Sequence, residues 1–189
     1  MANKVKFGLC NVHIAPITAS SPSGVTYGTP FALAGAVNLT LDPEGESADF
    51  HADNIKYFSE YANQGYSGSL EIALINDSFR TQILGETVDS NGAMTESATA
   101  KIKNFALGFQ IDGDETNRKF WFYNVSAQRP STSSKTIETS KEPATDTLNV
   151  NATARISDGK VRTYLEKSAD NTAAYDSFFT EVYETVGSV

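Results

Sequence analysis

The chain has 189 residues, 40% of them hydrophobic, 11% aromatic and 20% charged, with a formal charge of −8 and one cysteine. That composition is globular, and the length suits a single domain, 1–189, large enough to bury a continuous core without staples. It excludes an internal disulfide, a cysteine-based zinc site, an apolar run of the roughly 20 residues that span a bilayer, and the basic stripe that tight nucleic-acid binding requires.

The opening "MANKVKFGLCNV" lacks the uninterrupted apolar core of a signal peptide, so synthesis and use in a cytoplasm are expected. The sequons at Asn38, Asn76, Asn124 and Asn151 then carry no glycan expectation. In "KVKFGLCNV", Val5, Phe7 and Leu9 fall on one face of a strand, with Cys10 a buried or half-buried thiol. Residues 17–29 are polar and turn-rich and read as a loop. "FALAGAVNLTLD" alternates Phe31, Leu33, Val37, Leu39 and Leu41 as one strand, and "GSLEIALIN" aligns Leu70, Ile72 and Leu74.

"NDSFRTQILG" switches to helical spacing: Asp77 is placed to cap, Phe79 and Ile83 are one turn apart, and Gly85 suits a left-handed stop. A loop is expected over 86–99. "KNFALGFQIDG" lines up Phe105, Leu107, Phe109 and Ile111, whereas "RKFWFYNVS" carries rings on both faces, which predicts a central strand covered on both sides. A long loop spans 126–147. "TDTLNVNATARISDGKVRTYL" alternates Leu148, Val150, Ala152, Ala154 and Ile156 up to Asp158–Gly159, a favoured hairpin turn, with Val161, Thr163 and Leu165 on the return strand. Finally, Tyr175, Phe178, Phe179, Val182 and Val186 form the stripe of a C-terminal amphipathic helix capped by Asp170 or Asn171. The fold class is mainly β, with one short helix and this closing one.

Catalytic signatures are poor. His13 and His51 are the two histidines, and neither sits in a nucleophile's context. "GYSGS" lacks the spacing of a nucleophile elbow, so Ser67 reads as a turn residue. Asp112, Asp114 and Glu115 in "IDGDETNRK" resemble a calcium turn or a hydrolase's acids, but no distal bidentate glutamate follows at loop spacing and the tight turn is the better reading. No catalytic residue, cofactor or metal is therefore assigned.

Residues 42–66 stand apart. Asp42, Glu44, Glu46, Asp49, Asp53 and Glu60 face a single cation, Lys56, a local charge of −5. Phe50, Ile55, Tyr57, Phe58, Tyr61 and Tyr66 lie among them without clean periodicity. Such a loop ordinarily folds its rings back on the parent sheet. These rings suffice for several hundred Å² of apolar surface, roughly the patch size that marks an interface, so a docking arm is the favoured reading. Its form is an extended hairpin that adds to a neighbour's sheet edge, with inter-subunit contact through those six residues.

"HADN" followed by "GYSGSLEIALINDSFRTQILG", then "FWFYNVSAQRPSTSSKTIETSKEPATDTLNV", together with the opening "KVKFGLCNVHIAPIT", resembles the major tail proteins of long-tailed, non-contractile bacteriophages of Gram-positive bacteria. The resemblance covers about residues 4–165. It implies a β-sandwich or barrel-like tail tube fold, assembled as stacked hexameric rings into a hollow virion tube made in the host bacterial cytoplasm. The implied partners are other copies of the chain, a tape-measure protein inside, tail terminator and distal tail proteins at the ends, and DNA in transit only. No membrane is implied. Some members carry a C-terminal immunoglobulin-like domain, for which this chain is too short. The competing reading is a monomeric β-sandwich that binds carbohydrate on Trp121, Tyr123 and Tyr66.

Overall fold

The computed structural model describes residues 7–113, 117–132, 136 and 144–187. Strand β1 (Leu9–Ser21) turns back into β2 (Gly24–Tyr27), so 17–29 is largely a hairpin and not a loop. Its side chains are half-buried or exposed, which removes the apolar alternation that announces a strand. Strand β3 (Phe31–Ala32) pairs with β1, and β4 (Ala36–Glu44) joins the opposite edge of the sheet. The single strand expected there is broken at Gly35, whose φ of +89° is a conformation that L side chains rarely adopt.

Strands β5 (Ser47–Ala52) and β6 (Ile55–Tyr61) form a sheet of their own. Strand β7 (Gly65–Ile72) follows, and it contains Ser67, which is therefore a strand residue. It ends before Leu74, leaving that side chain exposed. Helix α1 (Asp77–Phe79) runs into a π-helical turn (Arg80–Leu84). The cap is Asn76, one residue earlier than expected: its Oδ1 accepts from the Phe79 amide at 2.9 Å, and Gly85 stops the turn at φ +75°. A small hairpin, β8 (Thr87–Val88) and β9 (Met94–Thr95), lies within 86–99.

Strands β10 (Phe105–Ile111), β11 (Lys119–Ala127), β12 (Asp146–Thr153) and β13 (Arg162–Leu165) and helix α2 (Thr172–Asp176) complete the described elements. The main sheet has the order β2-β1-β10-β11-β12-β7-β4, with β3 on β1 and β13 on β11. It must curl. Three residues join β3 to β4, a Cα path of at most about 15 Å, whereas six inter-strand steps of about 4.8 Å in a flat sheet would part them by about 29 Å. The result is mainly β and barrel-like, with the core inside the curl: Ile14, Leu70, Ile72, Leu107, Phe122 and Leu148 meet there. Phe79 and Ile83 plug one end, with Phe79 edge-on to Phe105 at 5.6 Å.

The two-faced reading of β11 holds. Phe120 and Phe122 point into the curl, while Trp121 and Tyr123 point out, into a second core with Ala15, Ala106, Phe178 and Val182. Gly108 leaves the room: a Cβ there would come within 2.9 Å of the Trp121 ring.

Two expectations at the C-terminal side need correction. Asp158–Gly159 does make a turn, but β12 and β13 do not pair with each other; both lie on one edge of β11, Thr153 opposite Asn124 and Arg162 opposite Phe122. Residues 154–161 are an excursion between two halves of one interrupted strand. The amphipathic helix shrinks to five residues, with turns through 177–182 and Val186 exposed. The sheet takes the carbonyls a helix needs: Lys119 Nζ donates to Tyr175 O at 2.7 Å, Trp121 Nε1 to Phe178 O at 2.8 Å and the Tyr123 hydroxyl to Tyr183 O at 2.9 Å.

Candidate subunit interface

Pairing of β4 with β7 runs down to Glu44 opposite Gly65, and does not stop there. Gln64 N donates to Glu44 O at 2.9 Å and Ala62 N to Glu46 O at 3.1 Å, after which β5 and β6 take over with Ser47 opposite Tyr61. The hairpin is thus the far half of one continuous two-stranded ribbon leaving the sheet. The crossing point is tight: a Cβ on Gly45 would sit 1.8 Å from Ala62 O. At the tip Asp53 and Asn54 both have positive φ, +53° and +61°, the type I′ turn whose twist matches the strands it joins.

Lys56 Nζ lies 2.8 Å from Asp49 Oδ1, and the Ser59 hydroxyl donates to the same oxygen at 2.7 Å. These two partners, Lys56 foremost, hold the Asp49 carboxyl below its ordinary range. Apart from Ala52, every residue of the two strands is exposed. Phe50 faces Phe58 across the ladder, and Tyr57 and Tyr61 are 72% and 76% exposed. Ile55 is likewise open. A two-stranded hairpin alone is marginal in water, and rings left in solvent on it gain nothing from burial.

Tyr66 is not with the others. It lies in β7, half-buried, edge-on to Phe122 with ring centroids 5.3 Å apart and beneath the Arg162 guanidinium at 5.3 Å. Asp42 and Glu44 belong to the end of β4, so the hairpin itself spans 47–61.

Beside the root of the ribbon the curl opens into a cleft of about 730 Å³ with both polar and apolar surface. Leu39, Leu41, Phe109, Ile111 and Phe120 line it, with Arg118, Arg162 and Tyr164 also at its wall. Sequence reasoning missed it because its walls come from β1, β4, β7, β10, β11 and β13, and no single segment carries its signal.

The outer face of β4, β7 and β12 has a different character. Cross-strand rows Asn38–Glu71–Thr147, Thr40–Ser69–Asn149 and Asp42–Ser67–Asn151 present small polar side chains, two of them acids and none a cation. The inward neighbours Leu39, Leu70 and Leu148 pack in the core.

Two of the three rings of the competing sugar platform are inaccessible. Trp121 and Tyr123 are fully buried under the C-terminal segment, so no sugar can stack on them. Asp112 accepts from the Gly113 amide at 2.9 Å, as a turn acid does, while Asp114 and Glu115 lie outside the described residues. Among the described residues no three His, Cys, Asp or Glu converge as metal ligands, and no helix is long and apolar enough to cross a membrane.

Comparison with known proteins agrees with the fold. The family described as phage tail tube protein matches residues 2–169. No curated protein matches the chain. A mainly β, barrel-like chain that extends an unsatisfied ribbon, matched by that family over most of its length, belongs to the phage tail tube proteins and is a structural component of the virion tail.

Proposed function

We propose that the chain polymerises with itself into hexameric rings that stack as the wall of the tail tube, and that the 47–61 hairpin is the arm that joins copies. The carrying observation is that hairpin: a formed ladder with both faces in solvent and its rings uncovered. A heterologous contact closes into a ring when its rotation divides a full turn, and a ribbon reaching roughly 27 Å beyond Gly45, eight residues of strand, is long enough to bridge to a neighbour.

The uncovered rows of Ser, Thr and Asn on β4, β7 and β12 suit the lumen. Their lack of cations gives phosphate nothing to bind, which favours transit of DNA over retention. A tape-measure protein inside, terminator and distal tail proteins at the ends, and assembly in the host bacterial cytoplasm complete the reading. Of the residues assigned to contact, Phe50, Ile55, Tyr57, Phe58 and Tyr61 act on the arm, while Tyr66 acts at its root.

Negative-stain microscopy of the concentrated, purified protein tests this. Hollow tubes are expected from the full chain, and none from a chain lacking residues 49–61 that keeps its β-sheet circular dichroism. Normal tubes from the shortened chain would defeat the arm's role, and a full chain that stays monomeric at every concentration would defeat self-assembly.

A further inference from the structure

Resting on that reading, we propose that the cleft between β4 and β13 is the receptor for the arm of a second copy of this chain. The occupant follows from complementarity. The cleft holds about 730 Å³, within the range of roughly 300–1,000 Å³ typical of sites that bury a compact apolar group. Its lining is aliphatic and aromatic, through Leu39, Leu41, Phe109 and Phe120, and at its margin stand two guanidinium groups, Arg118 and Arg162. The arm, residues 47–61, has the opposite pattern: uncovered rings interleaved with Asp49, Asp53 and Glu60 against Lys56, which is itself paired with Asp49, a net charge of −2.

Arg162 is free to respond. It is exposed, and its guanidinium lies over the face of the Tyr66 ring, with no carboxylate partner among the described residues. Arg118 is already paired with Glu166 at 2.7 Å, so Arg162 is the charge that a foreign carboxylate would meet. Tyr164, more than half exposed, stands beside it on β13 as a surface for an incoming ring.

The backbone adds a second element of fit. Among the described residues β4 pairs only with β7 and β13 only with β11, so β13 and the part of β4 beyond its contact with β1 each keep an unpaired edge to which an extended segment can add. The chain's own arm does not fill the site, since no residue of 47–61 lines it.

Disulfide trapping tests the contact directly. In a Cys10→Ser background, chains carrying Phe58→Cys are mixed with chains carrying Tyr164→Cys at assembling concentration, under mild oxidant. A cross-linked dimer that requires both chains is expected. Tubes that form without it, or a cross-link that appears only within one chain bearing both cysteines, would overturn the proposal. Arg162→Glu should raise the concentration needed for assembly about tenfold or more, as like charges are then set side by side, and Glu60→Arg in the same chain should restore part of it. If the full chain forms tubes while Arg162→Glu changes nothing and no dimer is trapped, the docking site is wrong and self-assembly stands. If the full chain forms no tubes and the cysteine pair traps no dimer, both readings fall.

Discussion

The guanidinium of Arg155 sits 4.3 Å from the centre of the Tyr123 ring and is gripped by two carboxylates, Asp158 at 2.6 Å and Glu184 at 2.6 Å. Asp158 belongs to the excursion between β12 and β13, and Glu184 to the C-terminal segment, so one buried cation clasps both to the outer core. Arg155→Met should cost about 2–3 kcal/mol, below the value for a fully buried pair because Glu184 is half exposed. Arg155→Lys should recover little, as a single ammonium cannot serve two bidentate partners. Chemical denaturation of the unassembled chain checks both.

The same clasp sets the pH range of stability. Its hydrogen bonds to Arg155, above all, hold the Asp158 carboxyl well below the usual carboxylate range. Its contribution is therefore complete above the unfolded value of about 3.9 and is lost as pH falls below that. On the alkaline side, burial first and then Glu184 push the Tyr123 phenol up to about 12. That contribution is intact below the unfolded value of about 10 and is lost as pH climbs through the folded one. Unfolding midpoints measured from pH 2 to 12 should form a plateau, and Asp158→Asn should flatten its acid shoulder.

Replacing Phe50 and Phe58 with Ser should cost the folded monomer no more than about 1 kcal/mol, the worth of one cross-strand pair, because both rings are more than half exposed and belong to neither core. Assembly should nonetheless fail or weaken strongly. Light scattering at rising concentration, paired with a denaturation curve, separates the two effects. A variant that loses stability and assembly together would show that the rings serve the chain's own core.

Strands with alternating large apolar side chains were legible: Leu148, Val150 and Ala152 in β12 and Phe105, Leu107 and Phe109 in β10 lie in the inner core, where alternation placed them. So were the rings on both faces of β11 and the Gly85 stop. What local pattern misses is capture from a distance. The C-terminal stripe reads as helix because Tyr175, Phe178 and Val182 do face the sheet, but Lys119, Trp121 and Tyr123, over 50 residues away, hold the carbonyls. The arm was visible as rings without a period, yet Tyr66 was counted with it because a sequence does not mark where a ribbon leaves its sheet. Arg162 and Tyr164 gave no signal at all, since a cleft between strands far apart in sequence has no linear signature.

Trp121 supports the second core, fully buried with its indole N–H donating to Phe178 O. Trp121→Ala should cost about 3–5 kcal/mol, combining lost burial with a cavity, and should leave the Phe178 carbonyl unpaired. The consequence is specific: the C-terminal segment should become the first site of limited proteolysis while β7 and β12, which face the other core, stay protected. Equal cleavage throughout would mean that the two cores fold as one unit.

The polar rows of β4, β7 and β12 carry a prediction about passage that leaves folding untouched. Asn149 and Ser69 lie opposite each other on the outer face, with Leu148 and Leu70 turned inward, so Asn149→Lys places a cation on the proposed lumen without disturbing the core. In the proposed tube that change recurs in every ring and sets cations along a face that had none, beside Asp42 and Glu71, and phosphate binding grows steeply with the number of cations it meets. Tubes should assemble from the variant as from the parent, but should retain short DNA at about 50 mM salt and release it at about 200 mM, where the parent retains none at either. If variant and parent behave alike toward DNA while both form tubes, this face points outward and another surface lines the channel.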